Sequence, residues 1–116
     1  MPGPWCNKGE LLDRLGRSEE ALTCFDAAIE VDPRLADARL NKGAVLGSLG
    51  RHQEALTCYD KAVELNPRYA RAWLNKGVML YQLKRYGEAR NPLRHAAELG
   101  DPEAPGILAA IERDGH

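Results

Sequence analysis

The tripeptide Asn-Lys-Gly recurs at residues 7–9, 41–43 and 75–77, so the same three residues return twice after thirty-four positions. Aligning residues 2–35 with 36–69 gives seventeen identities in thirty-four positions, and the register continues from Ala70 to about Leu93. A period of this size means one supersecondary unit stacked on copies of itself, because a single unit cannot bury its own apolar face. Within each copy the apolar residues fall at helical spacing: Leu11, Leu12 and Leu15, then Val45, Leu46 and Leu49, then Met79, Leu80 and Leu83. After a short break ("GRSEE", "GRHQE", "KRYGE") a second stripe follows, with Ala21, Phe25, Ala28 and Ile29 in copy one and Ala55, Tyr59, Ala62 and Val63 in copy two. Each copy therefore reads as two antiparallel helices.

The Asp32-Pro33 and Asn66-Pro67 pairs end the second helices, because proline disfavours helical geometry in the residue before it. Gly9, Gly43 and Gly77, with Ala21, Ala55 and Ala89, fall within helices. There a glycine costs about 1 kcal/mol relative to alanine, so its presence predicts close helix packing. In copy three Pro92 falls inside the second helix and removes a backbone hydrogen bond at about 3 kcal/mol, so that helix is expected to start late or kink. Trp73 is expected to be a buried aromatic.

The order Trp5, Gly9, Ala21, Phe25, Ala28 and Pro33 resembles the tetratricopeptide repeat, whose period it also shares. The resemblance covers two full copies, a diverged third and a capping helix. It implies an all-α, right-handed superhelical solenoid of antiparallel helix pairs. The expected organisation is a single domain over 1–116, with repeats at about 2–35, 36–69 and 70–101 and a capping helix at about 102–114. In the tail, Asp101 is expected to cap that helix, with Pro102 in its first turn and Ile107, Leu108 and Ile111 along one face. The chain departs from the family pattern at Arg39, where an aromatic is expected, at Leu93, and at Lys8, Lys42 and Lys76, which occupy a usually apolar position. The lysine stems can pack while their charges reach water.

With 116 residues, 44% of them hydrophobic, the chain is sized for one core. Sixteen basic residues against seventeen acidic ones leave a net charge of -1, which supplies no field to attract nucleic acid or a membrane surface. No apolar run approaches the roughly 20 residues that span a bilayer, and the N-terminus lacks a signal-peptide layout, so a soluble cytoplasmic protein is expected. Three cysteines without CxxC spacing fit neither a disulfide framework nor a zinc site. His52, His95 and His116 lie on separate elements, without ligand partners three or four residues away. Cys24 and Cys58 are repeat equivalents that read as small core filler, and the glycines form no phosphate loop. Neither an enzyme nor a metal or cofactor site is expected. Arg17, Glu19, Glu20, Arg51, Glu54, Arg85 and Glu88 gather at the turns and first turns of second helices, where acids complement the helix dipole.

If the first helices line a concave face, as the resemblance implies, Asn7, Asn41 and Asn75 form a ladder along it. An asparagine amide offers two donors and an acceptor, the complement of a peptide unit, so such a ladder can hold an extended backbone whatever its sequence. Leu40, Leu74, Val78 and Tyr81 would give the groove an apolar floor, Glu10 and Asp37 an acidic end, and Arg71 a basic point. The expected function is a protein-protein interaction module that binds a peptide or partner segment. The alternative reading of the asparagines is structural, as helix bridges or as residues copied in a duplication. The family's clamp for an acidic C-terminus is matched at only two of five positions, Asn41 and Arg71, while Cys6, Glu10 and Asn75 differ. Two further readings are a homo-oligomer stacking through the uncovered end that carries Trp5, and an adaptor segment of a larger protein.

Overall fold

A computed structural model describes Gly9 and residues 16–114 of the protein. Among the described residues the structure is entirely helical, in two compact units divided after Leu65. The first unit contains α1 (Ser18–Val31), α2 (Ala36–Ser48) and α3 (His52–Leu65), and the second contains α4 (Ala70–Gln82), α5 (Tyr86–Glu98) and α6 (Ala104–Asp114). Helix α1 is the second helix of copy one; α2 with α3 and α4 with α5 are the antiparallel pairs of copies two and three. No described helix is long and apolar enough to cross a membrane.

The repeated glycines explain how closely the paired helices approach. A Cβ on Gly43 would sit 2.7 Å from Tyr59 Cε1, one on Gly77 would sit 2.5 Å from Leu93 Cγ, and one on Gly9 would sit 2.8 Å from Phe25 Cε1. Tyr59, Leu93 and Phe25 each stand sixteen residues after their glycine and are buried. One device thus serves all three copies: a large side chain from the second helix fills the notch left by a missing Cβ on the first. In copy three leucine takes the aromatic's place without opening the contact. Ala28, Ala55, Ala62 and Ala89 complete the seam with no exposed surface.

The turns inside copies two and three are also equivalent. In copy two Arg51 N–H donates to Leu46 O at 2.9 Å, and in copy three Arg85 N–H donates to Leu80 O at 2.8 Å, the six-to-one bond that closes a helix end. This closure needs a left-handed residue, supplied by Gly50 at φ +79° but by Lys84 at φ +61° in copy three. An L side chain in that region is disfavoured by about 1–2 kcal/mol, so Lys84→Gly is expected to raise the unfolding free energy by about 1 kcal/mol in chemical denaturation. An unchanged or lowered value would mean that the lysine side chain makes compensating contacts.

Inter-copy turns are built on an Asx-Pro pair. Asp32 Oδ1 accepts Arg34 N–H at 3.0 Å, and Asn66 Oδ1 accepts Arg68 N–H at 3.2 Å. Asp101 Oδ1 accepts Glu103 N–H at 2.9 Å in the same way, so α6 is entered by the turn that introduces each first helix. The helix itself runs over Ala104–Asp114, and Asp101 acts by bracing the turn before it. Ile111 is fully buried on α6, with Ile107 and Leu108 half-buried beside it.

Two expectations need correction. Of the two effects expected of Pro92, a late start does not occur: Tyr86 follows His52, the first residue of α3, by the full thirty-four positions, and Pro92 lies inside a helix that ends at Glu98. Pro92 is itself buried, as are Ala89, Leu93 and Ala96 of the same helix. Trp73 is only half-buried. Its indole N–H donates to Pro67 O at 2.8 Å, its ring lies 4.4 Å from that of His95, and Lys76 Nζ stands 5.8 Å from its centroid.

Candidate functional site

A helix advances about 100° per residue, so Asp37, Asn41, Ala44 and Ser48 form one stripe of α2. On α4 the corresponding stripe is Arg71, Asn75, Val78 and Gln82, with Tyr81 at its margin. Asn41, Asn75, Val78 and Tyr81 are half-buried, while Asp37 and Arg71 are exposed. Asn7 and Glu10 lie outside the described residues, as does Trp5, on which the self-assembly reading rests. Leu40 and Leu74 differ from their expected role: at 6% and 1% exposure they belong to the core and have almost no surface to offer a ligand. Tyr81 packs edge-on against Tyr86, with centroids 5.5 Å apart.

The basic point at Arg71 is occupied from within its own unit. Glu103, in the turn before α6, places a carboxylate oxygen 3.5 Å from the Arg71 guanidinium, and both side chains are about half-exposed, an arrangement that water screens. Sequence spacing gives no sign of this pair, because its partners are thirty-two positions apart. Among the described residues the side chain of Asn75 makes no hydrogen bond, which leaves its amide donors and acceptor available.

The charged residues at the intra-repeat turns are structural pairs. Arg51 grips Glu54 with two hydrogen bonds of 2.5 and 3.0 Å, and Arg85 grips Glu88 with two of 2.6 and 2.7 Å. Arg17 and Glu20 make the same pair in copy one. The hydrogen bond from Arg51 holds the Glu54 carboxyl below the usual carboxylate range, and Arg85 does the same to Glu88. Cys24 and Cys58 are buried, and burial pushes the Cys58 thiol up. Among the described residues no group of three or more histidines, cysteines and acids could hold a metal ion.

One further feature, noticed in the sequence only as two departures from the family pattern, is a cleft of about 490 Å³ lined by α1, α2 and α3. Arg39 and Lys42 reach it from α2, on the face nearly opposite the Asn41 stripe.

A tetratricopeptide-repeat model matches residues 4–65, and a second matches residues 45–105. The chain belongs to the tetratricopeptide-repeat family. Among solved structures it is similar to the first tetratricopeptide domain of Spaghetti (RPAP3) bound to the HSP90 peptide SRMEEVD. That match has 24% identity and a TM-score of 0.91, covering 97% of this chain and 90% of the other. The tetratricopeptide domain of Arabidopsis OM64 matches at 23% identity and a TM-score of 0.91, covering 97% of this chain and 94% of that one. A MamA RS-1 double mutant matches at 26% identity and a TM-score of 0.79, over 85% of this chain and 56% of that one. No curated protein sequence matches significantly. The tetratricopeptide assignment accounts for the repeated glycine seam and for the Asx-Pro turns alike.

Proposed function

We propose that this tetratricopeptide domain is a non-enzymatic module that binds an extended peptide segment, with the stripe of α4 that carries Arg71, Asn75 and Val78 as a contact surface. The observation that carries the reading is Asn75. Its half-buried amide stands in one stripe with Arg71 and Val78 and has no hydrogen-bond partner among the described residues. Such a group, placed beside an apolar surface, is suited to a peptide N–H and C=O. Asn41 takes the equivalent position on α2, and Asn7 takes it in the sequence of copy one. The Spaghetti domain, similar in fold, is described as bound to a peptide, which agrees with this use of the architecture. Asp37 and Arg71 set the charge of the two stripes, Val78 and Tyr81 supply apolar contact, and Leu40 and Leu74 support the helices from behind.

Asn41→Ala and Asn75→Ala are each expected to weaken the binding of a retained peptide by about 1–3 kcal/mol, the cost of leaving a buried polar partner unmade. Isothermal titration calorimetry checks this, with circular dichroism expected to show unchanged helicity. Unaltered affinity together with a large loss of thermal stability would make the amides structural.

A further inference from the structure

Copy three fills one place on its helix pair with an aromatic stack: Trp73 lies against His95, with Lys76 beside the indole. Subtracting thirty-four from each number gives Arg39, Lys61 and Lys42, and all three line the cleft in the first unit. Where copy three packs rings, copy two therefore gathers three cations around a half-open space. Helices α1 and α3 each pack on α2 but not on each other, so no described helix closes the gap between them. The buried Leu22 and Leu46 are also among its lining residues.

The charges are unevenly satisfied. Lys42 Nζ pairs with Asp26 at 2.7 Å, Arg51 pairs with Glu54, and Lys61 reaches Glu64 only at 3.8 Å. Arg39 has no carboxylate partner among the described residues. Its Nη2 makes one long bond, 3.5 Å to Pro33 O, in place of the 2.8 Å bond that Trp73 makes to Pro67 O. The Arg39 Nε–H is buried and has no acceptor. A buried donor left unmade is destabilising, and a planar guanidinium fork fits a carboxylate with two parallel bonds.

We infer that this cleft binds a carboxylate, presented by an acidic side chain of a peptide, with Arg39 as the fork and Lys42 and Lys61 at its flanks. The lining carries four cations (Arg39, Lys42, Arg51, Lys61) against three acids (Glu19, Asp26, Glu54), a balance of one positive charge. A singly charged carboxylate matches that balance, whereas a doubly charged phosphate would face the repulsion of the three acids. The volume of about 490 Å³ lies in the range of sites that accept small groups. The site stands apart from the Asn41 stripe, so it does not depend on the reading given above.

Arg39→Trp restores the residue found in copies one and three and removes the fork, so the variant is expected to fold at least as stably as the wild type. Arg39→Gln, which keeps a polar stem and no charge, guards against misfolding of the first variant. The probes are acetylated, amidated pentapeptides with one central glutamate, the same peptides with glutamine, and inorganic phosphate, followed by the nitrogen-detected Arg39 Nε–H resonance. The wild type is expected to prefer the glutamate peptides by about tenfold or more with a shift of that resonance, and both variants to lose the preference at a thermal midpoint no lower than that of the wild type. Equal binding of glutamate and glutamine peptides, retained preference in both variants, or tighter binding of phosphate would each overturn the assignment.

Discussion

Leu93→Ala is expected to destabilise the second unit by about 2–5 kcal/mol, the range for emptying a fully buried leucine site. Leu93 has no exposed surface and occupies the notch over Gly77, so its loss leaves a cavity where α5 packs against that glycine of α4. The reciprocal change, Gly77→Ala, sets two effects against each other. Alanine gains about 1 kcal/mol of helix propensity over glycine. Its Cβ, however, would stand 2.5 Å from Leu93 Cγ and 3.4 Å from the backbone oxygen of Ala89, and overpacking of this kind costs about 1–3 kcal/mol. The clash should win, because Leu93 is enclosed and cannot swing away. In the Leu93→Ala background the clash disappears and only the propensity gain remains, so the double variant is expected to be more stable than Leu93→Ala alone. Equilibrium urea unfolding of the four proteins checks this, and additive effects would show that the glycine is not there for the contact.

Trp73→Ala is expected to cost about 2–4 kcal/mol, somewhat below the range for fully buried tryptophans, because the side chain is half-exposed. The loss combines apolar burial with the hydrogen bond to Pro67 O, the stacking on His95 and the contact with Lys76. Trp73→Phe separates these contributions, since it keeps a ring but cannot donate to Pro67. It should recover the packing part only. A Trp73→Ala effect under about 1 kcal/mol in the same denaturation assay would contradict the packing described for copy three.

The repeat made the fold readable, because period, proline and glycine each act locally or at a fixed offset. Residues sixteen positions apart meet in every copy, so a glycine and a large apolar side chain repeated together already imply a seam. Pro92 misled for the opposite reason. Its local effect is unfavourable, and spacing alone does not show that Pro92 is buried along with Ala89, Leu93 and Ala96 in a helix that starts on register. Leu40 and Leu74 misled because face assignment from spacing cannot tell the margin of a groove from the edge of the core. The Arg71–Glu103 pair was hidden, since it joins a repeat to the segment after it. The cleft around Arg39 left only a faint trace, the departures at Arg39 and Lys42, because spacing does not show that Lys61 of the next helix lines the same space.

The peptide-binding claim is tested most directly by screening a library of extended peptides against the wild type and against an Asn7/Asn41/Asn75→Ala triple variant whose helicity has been verified by circular dichroism. The account predicts peptides retained by the wild type and lost by the triple variant, sharing apolar side chains at a regular spacing. Retention of the same peptides by both proteins would contradict it.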